Sequence, residues 1–203
     1  MNTKGVILVV SGPAGSGKGT VIAELLKSED FVYSVSATTR APRPGEVHGK
    51  NYYFITKEEF QQRIDAGEML EYTCYCQNFY GTPLREALAV MESGKNLILE
   101  IEVEGAMNEK RLYPESVLIM LLPPSFSVQE ARLRGRGTET EEVIQARLTR
   151  TREEVALVGE YDYIVYNHQG GAAACAEDIR AAVRADRCAI RRHPDAEKLY
   201  FED

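Results

Sequence analysis

Near the N-terminus an unbroken apolar run, Val6 to Val10, leads straight into SGPAGSGKGT, residues Ser11 to Thr20. A short continuous apolar run reads as a strand buried on both faces, the kind found in parallel sheets. Val21, Ile22, Leu25 and Leu26 follow at the spacing of one helix face. Strand, glycine loop and helix together form a setting in which backbone N–H groups can wrap an anion. The positive end of the helix dipole adds to the attraction. Gly12, Gly17 and Lys18 keep the spacing G-x-x-x-x-G-K, but Gly19 stands where a hydroxyl residue is usual and the hydroxyl is delayed to Thr20. Gly12, Pro13, Ala14, Gly15, Ser16, Gly17, Lys18, Gly19 and Thr20 are therefore expected to line a nucleotide phosphate chain. Lys18 supplies a compact charge near the β- and γ-phosphates.

The remaining chain alternates in the same way. NLILEI (96–101), SVLIMLL (116–122) and YDYIVYN (161–167) read as further buried strands, and Tyr33 to Ser36 as a short one. Helices are expected after Thr56, which opens a capping box with Glu59, and after Thr82 with Pro83 at the first helical position. Others are expected from Val128 to Arg136, from a second capping box at Thr138 and Glu141 to about Val158, and from Ala172 to Arg192. Strands alternating with helices predict an α/β fold with a doubly wound parallel sheet.

At 203 residues the chain is one domain, or a core with insertions. Its formal charge of −7 argues against nucleic acid or an anionic membrane as partner. An anionic ligand must then be met by a local group of arginines and lysines. No run approaches the ~18 apolar residues of a membrane span. Val6–Val10 is too short for a signal-peptide core, and no small-residue cleavage site follows it. Cys74, Cys76, Cys175 and Cys188 lack paired metal-ligand spacing and read as reduced cysteines of a cytoplasmic protein.

Two basic groupings answer the charge argument. Arg40 and Arg43 stand in a loop restricted by Pro42, Pro44 and Gly45. With the hydroxyls of Tyr52 and Tyr80 they suit a monophosphate, because guanidinium groups bind phosphate bidentately. The second grouping is Arg132, Arg134, Arg136, Arg147, Arg150 and Arg152. Fixed cations of this kind stabilise the charge spread over a phosphoryl group in transfer. Arg134, Arg150 and Arg152 read as a solvated face paired with Glu139, Glu141 and Glu142.

SATTRAPRPGEVHGKNYYF, GEMLEY and NFYGTP, followed by LEIEVEGA, PPS, RLRGRGTETEEVIQARL and YDYIVYN, resemble guanylate kinase in order along nearly the whole chain. The resemblance implies a P-loop core (about 1–36, 81–124 and 162–203), a GMP-binding insertion (about 37–80) and a helical lid (about 125–161). It implies transfer of the γ-phosphate of ATP to GMP, with Mg²⁺ accompanying ATP. GMP would be held by Arg40, Arg43, Tyr52 and Tyr80 at its phosphate. Glu71 would accept from the two adjacent donors of the guanine edge, Ser36 and Thr82 would contact its O6, and Glu102 would lie near the guanosine. Lys18 and the lid residues Arg132, Arg136 and Arg147 would be catalytic, and Asn167 would lie near the adenine.

The family pattern L-D-I-D-x-Q-G is here Leu99-Glu100-Ile101-Glu102-Val103-Glu104-Gly105, so each carboxylate stands one methylene further out. Glu100 and Thr20 are the candidates for Mg²⁺, Glu100 through water. G-K-G-T is also familiar from adenylate-kinase-like loops, which keeps an AMP kinase as an alternative. A non-catalytic guanylate-kinase-like module that binds phosphopeptides is another. Monomer and homodimer both stay open, as does dGMP as a second acceptor.

Overall fold

The computed structural model describes residues 4–75, 77–135, 137 and 139–201. Along the chain these form β1 (Ile7–Ser11), α1 (Lys18–Leu25), β2 (Phe31–Tyr33), β3 (Ala37–Thr38), β4 (Tyr53–Phe54) and α2 (Lys57–Asp65). Next come β5 (Met69–Tyr75), β6 (Asn78–Pro83), α3 (Leu84–Glu92), β7 (Asn96–Glu100), α4 (Val103–Leu112) and β8 (Val117–Leu122). α5 (Phe126–Gly135), α6 (Glu141–Ala156), β9 (Tyr163–Tyr166), α7 (Ala172–Arg187) and α8 (Ala196–Phe201) complete the order.

The central sheet has the order β2-β7-β1-β8-β9, and every neighbouring pair is parallel. Alternation along the strands splits the core into two layers. Leu8, Val10, Ile98, Ile119 and Leu121 pack with Val21 and Leu25 of α1 and Ile179 and Val183 of α7. Ile7, Val9, Leu97, Leu99 and Leu118 pack with Ala87 and Met91 of α3 and Ala106 of α4. Helices therefore cover both faces, as the alternation of elements predicts. β1 lies at the centre with all its residues buried, which explains why it reads as a continuous apolar run.

A second sheet, order β4-β3-β6-β5, is inserted between β2 and β7. β3 and β4 pair parallel, and the other two pairings are antiparallel. Leu70 of β5 belongs to the α3/α4 core, so the insertion is docked on the central layer. Phe60 of α2 is fully buried and stacks on Phe79 of β6 at 5.3 Å between ring centroids. Thr56 caps α2 as the sequence predicts, its Oγ1 accepting from the Glu59 N–H at 3.1 Å.

Several boundaries differ from the sequence expectation. Thr82 and Pro83 end β6 rather than starting a helix, because Thr82 pairs with Glu71 and Pro83 with Met69 across the ladder. α3 begins one residue later, at Leu84. β2 lies at Phe31–Tyr33, ahead of the stretch expected. Helix α6 is capped at Thr140, and Thr138, the expected cap, lies outside the described residues. The terminal helix stops at Arg187, short of Arg192, and the chain turns back so that Arg191 and Arg192 both pair with the buried Asp186.

Candidate active site

The glycine loop leaves the C-terminal end of β1 and enters α1. Gly12, Gly15 and Gly17 all have positive φ, at 147°, 84° and 91°. At Gly12 a side chain would also meet the Leu121 carbonyl, because a Cβ would stand 2.2 Å from it. Strain and crowding thus both require glycine there. Lys18 folds back over the loop, its Nζ donating to the Gly12 carbonyl at 2.6 Å. The Ser16 hydroxyl is buried and has no protein partner. Gly19 has open space where a Cβ would stand, so the missing hydroxyl at that position is not a steric necessity.

Two elements brace the loop. The Asn167 amide donates to the Ser16 carbonyl at 2.8 Å, and its Nδ2 would stand 2.3 Å from any Cβ at position 17. Arg132 of α5 donates to the Asn167 carbonyl at 2.8 Å and reaches the Gly15 carbonyl at 3.5 Å. Gly15, Gly17, Thr20, Arg132, Asn167 and His168 line one cavity of about 370 Å³. Asn167 therefore lines the space beside the loop, and its side chain serves as a strut. Gln129, absent from the sequence reading, is buried and donates from Nε2 to the Ala14 carbonyl at 2.9 Å and to Thr151 Oγ1 at 2.7 Å. One side chain thus joins the loop to both lid helices.

The lid arginines are not gathered in one place. Arg132 lies against the loop, but Arg147 is exposed and pairs with Glu139 at 2.7 Å. Arg136 lies outside the described residues. Arg134 pairs with Glu130 and Glu141, in keeping with a solvated face. Arg152 lies over the Phe126 ring at 5.3 Å rather than beside a glutamate. Arg150 reaches Glu102 and Glu154 instead of the expected Glu139, Glu141 or Glu142.

On the inserted sheet the β5–β6 ladder pairs Glu71 with Thr82 and Thr73 with Tyr80. Tyr80 and Thr82 alternate by two and share one face, about 7 Å apart along the strand. At one end Glu71 is only 1% exposed and accepts from the Thr82 hydroxyl at 2.8 Å. Burial pushes its carboxyl up to about 7, and the Thr82 hydrogen bonds oppose part of that rise. At the other end the Arg40 guanidinium lies 5.5 Å from the centre of the Tyr52 ring, with Tyr80 in reach of it. Tyr52 and Tyr80 meet edge to face at 6.1 Å.

Glu46, which the sequence reading did not single out, holds Arg40 at 2.9 and 3.0 Å and accepts from the Arg43 backbone N–H at 2.7 Å. The side chain of Arg43 is exposed, and Ser36 is half-buried at the edge of the same sheet. The arrangement is a carboxylate with a hydroxyl at one end and a guanidinium with two phenols at the other.

Glu100 ends β7 beside Val10 in the β1–β7 register, next to the start of the glycine loop. The Tyr33 hydroxyl donates to its Oε2 at 3.2 Å. Glu100 and Tyr52 both help raise the Tyr33 phenol, after burial, so the carboxylate lies within electrostatic reach of the arginine–tyrosine end of the inserted sheet. Among the described residues no cluster of three or more acidic, His or Cys side chains forms a ready metal cage.

Comparison with known proteins bears on this arrangement directly. The family model described as guanylate kinase matches residues 4–180. A guanylate kinase of Streptococcus thermophilus is 47% identical over 194 residues, covering 95% of this chain and 92% of that protein. One from Lactiplantibacillus plantarum is 45% identical over 202 residues, covering 98% and 97%. The crystal structure of guanylate kinase from Anaplasma phagocytophilum superposes with a TM-score of 0.73 at 32% identity, covering 99% and 98% of the two chains. This chain belongs to the guanylate kinase family. Membership extends through both sheets and into α7, so the glycine loop, the inserted sheet and the lid all fall inside the matched region. What sequence reasoning missed in this member of the family are the struts: Glu46, Gln129, Thr151 and Tyr33. Each is a polar residue whose role rests on a partner distant in the chain or across a loop, and no local pattern signals it. No helix among the described residues is long and apolar enough to cross a membrane.

Proposed function

We infer that the chain transfers the γ-phosphoryl group of ATP to GMP, giving ADP and GDP. The observation that carries this reading is the inserted sheet, with its buried Glu71–Thr82 pair at one end and Arg40, Tyr52 and Tyr80 at the other. Guanine offers N1–H and a 2-amino group side by side, and an ionised Glu71 accepts both. Ser36 and Thr82 offer hydroxyls to O6. Arg40 and Arg43 neutralise a phosphate carrying close to two charges, with Tyr52 and Tyr80 donating to it. The core, the insertion at about 37–80 and the lid at about 125–161 act as three working parts.

The acceptor phosphate is already anionic, so attack on the γ-phosphorus needs no general base. Catalysis is then positioning and charge. Lys18 exchanges the Gly12 carbonyl for phosphate oxygens, and Ser16 and the loop N–H groups hold the donor. Arg132, Arg136 and Arg147 stabilise the transferring group, which requires Arg147 to leave Glu139 as the lid closes. Asn167 fixes the loop beside the adenosine. Thr20 and Glu100 are oxygen donors beside the loop and suit a hard cation, so they are the residues that would hold Mg²⁺, Glu100 through water. The ion would offset phosphate charge. Glu102, at the start of α4, is the carboxylate assigned to the guanosine of the acceptor. The chain works on free nucleotides in the cytoplasm as a monomer or homodimer, with dGMP a second acceptor and neither nucleic acid nor membrane as a partner.

Substituting Lys18→Ala tests the loop assignment. Turnover of ATP with GMP should fall by at least about 10³-fold while circular dichroism and GMP binding stay as in the wild type. Activity within a few-fold of wild type in that variant would contradict the assignment.

A further inference from the structure

Arg150 stands on α6 one turn before Glu154, and both are drawn away from solvent patterning by long-range partners. Its Nη2 reaches Glu102 Oε2 at 2.5 Å across 48 residues of chain, and its Nε donates to Glu154 Oε1 at 3.1 Å. Glu102 is the N-cap residue of α4, directly after β7. Glu154 is largely covered. Burial raises its carboxyl, while Arg150 and then Lys18 pull it back, so Glu154 senses the loop lysine as well as the lid. Charges of alternating sign therefore run from Glu102 through Arg150 to Glu154. The line starts at the carboxylate assigned to the acceptor and ends on the lid helix, which Gln129 ties to the glycine loop through Thr151 and the Ala14 carbonyl. Arg147, three residues before Arg150, rides on the same helix.

We propose that Arg150 is a positioning residue that couples the two nucleotide sites, its bridge to Glu102 tying the lid helix to the acceptor side. The contact engages Oε2 of Glu102. A bound GMP fixes Glu102 and thereby helps order the helix that carries Arg147. A bound ATP orders the same helix through the glycine loop, whose Ala14 carbonyl is held by Gln129, itself bonded to Thr151 of that helix. Coupling of this kind is reciprocal, so each nucleotide tightens the other by the same factor. Arg150 and Glu102 are both partly exposed, at 37% and 45% of their side chains, so the pair adds little to stability and its loss leaves the protein folded. The inference rests on the acceptor assignment made above.

The test is calorimetric titration of GMP into the full chain, alone and with a non-hydrolysable ATP analogue plus Mg²⁺. Wild type is expected to bind GMP about fivefold more tightly when the analogue is present. In Arg150→Met the affinity for GMP alone should hold while that tightening is lost, and Arg150→Lys should keep part of it. Glu102→Gln should lose the same tightening, and combining it with Arg150→Met should remove nothing more. An Arg150→Met protein with the full wild-type tightening, or a wild type that binds GMP without any, would overturn the coupling role alone. A wild type that binds the ATP analogue but no GMP would overturn the acceptor assignment itself.

Discussion

In the proposed function, Glu71 carries most of the chemistry that distinguishes this site from a generic phosphate loop. Only its ionised form can accept from both guanine donors, yet burial pushes its carboxyl up to about 7. Binding of GMP must therefore expel a proton from a large share of molecules at neutral pH. The KM for GMP is predicted to rise as pH falls from about 8 to 6, and the KM for ATP to change far less. The phosphate of GMP titrates near ~6 as well. Glu71→Gln separates the two, because its profile should retain only the phosphate contribution, at a KM raised by at least about 100-fold. Steady-state kinetics across that pH range make the check. The stability sign runs the other way. A carboxyl raised in the folded state favours folding while protonated, so this contribution is lost as pH rises from 4.5 through about 7. Glu109 is pushed up by burial to about 8, with the Ser116 hydroxyl opposing part of the rise, and it acts in the same direction over a wider range.

At the scale of elements, legibility follows whether the inward row of an element is apolar. β1, β7 and β8 are buried on both faces and built from aliphatic residues, so their runs are plain in the sequence. The hairpin of β5 and β6 was not legible, because Glu71 and Thr82 occupy buried positions where an apolar residue would complete the alternation. Helix α4 was hidden in the same way by Glu109, which is wholly buried on its inner face. Local rules thus failed where polar groups are placed in the core, at Glu71 and Thr82 as at Glu109. The chemistry of those polar residues became readable only through the family resemblance. The element that steadies the hairpin is α2, through Phe60 stacked on Phe79. Phe60→Ala is predicted to cost about 3–5 kcal/mol in urea unfolding. Because the loss lies under the inserted sheet, the KM for GMP should rise by more than that for ATP.

Across the whole molecule, three parts meet at the C-terminal edge of the central sheet, in the manner of open α/β sheets that bind ligands beyond their strand ends. In the function proposed above, the loop fixes the donor, the inserted sheet reads the acceptor, and the helices at about 125–161 form a lid whose cations are drawn in by substrates. Gln129 and Arg132 keep the base of the lid on the loop, while Arg147 remains with Glu139. On that proposal, the division of parts makes transfer to water slow and transfer to the correct acceptor fast. In the proposed function, this machinery phosphorylates GMP because it reads guanine. The most direct measurement is ADP production from Mg-ATP with GMP, AMP, CMP and UMP offered separately. Fast turnover with GMP, and with the other three lower by about 10³-fold or more, is the predicted result. Equal or faster turnover with AMP, or no turnover with any acceptor despite ATP binding, would contradict it.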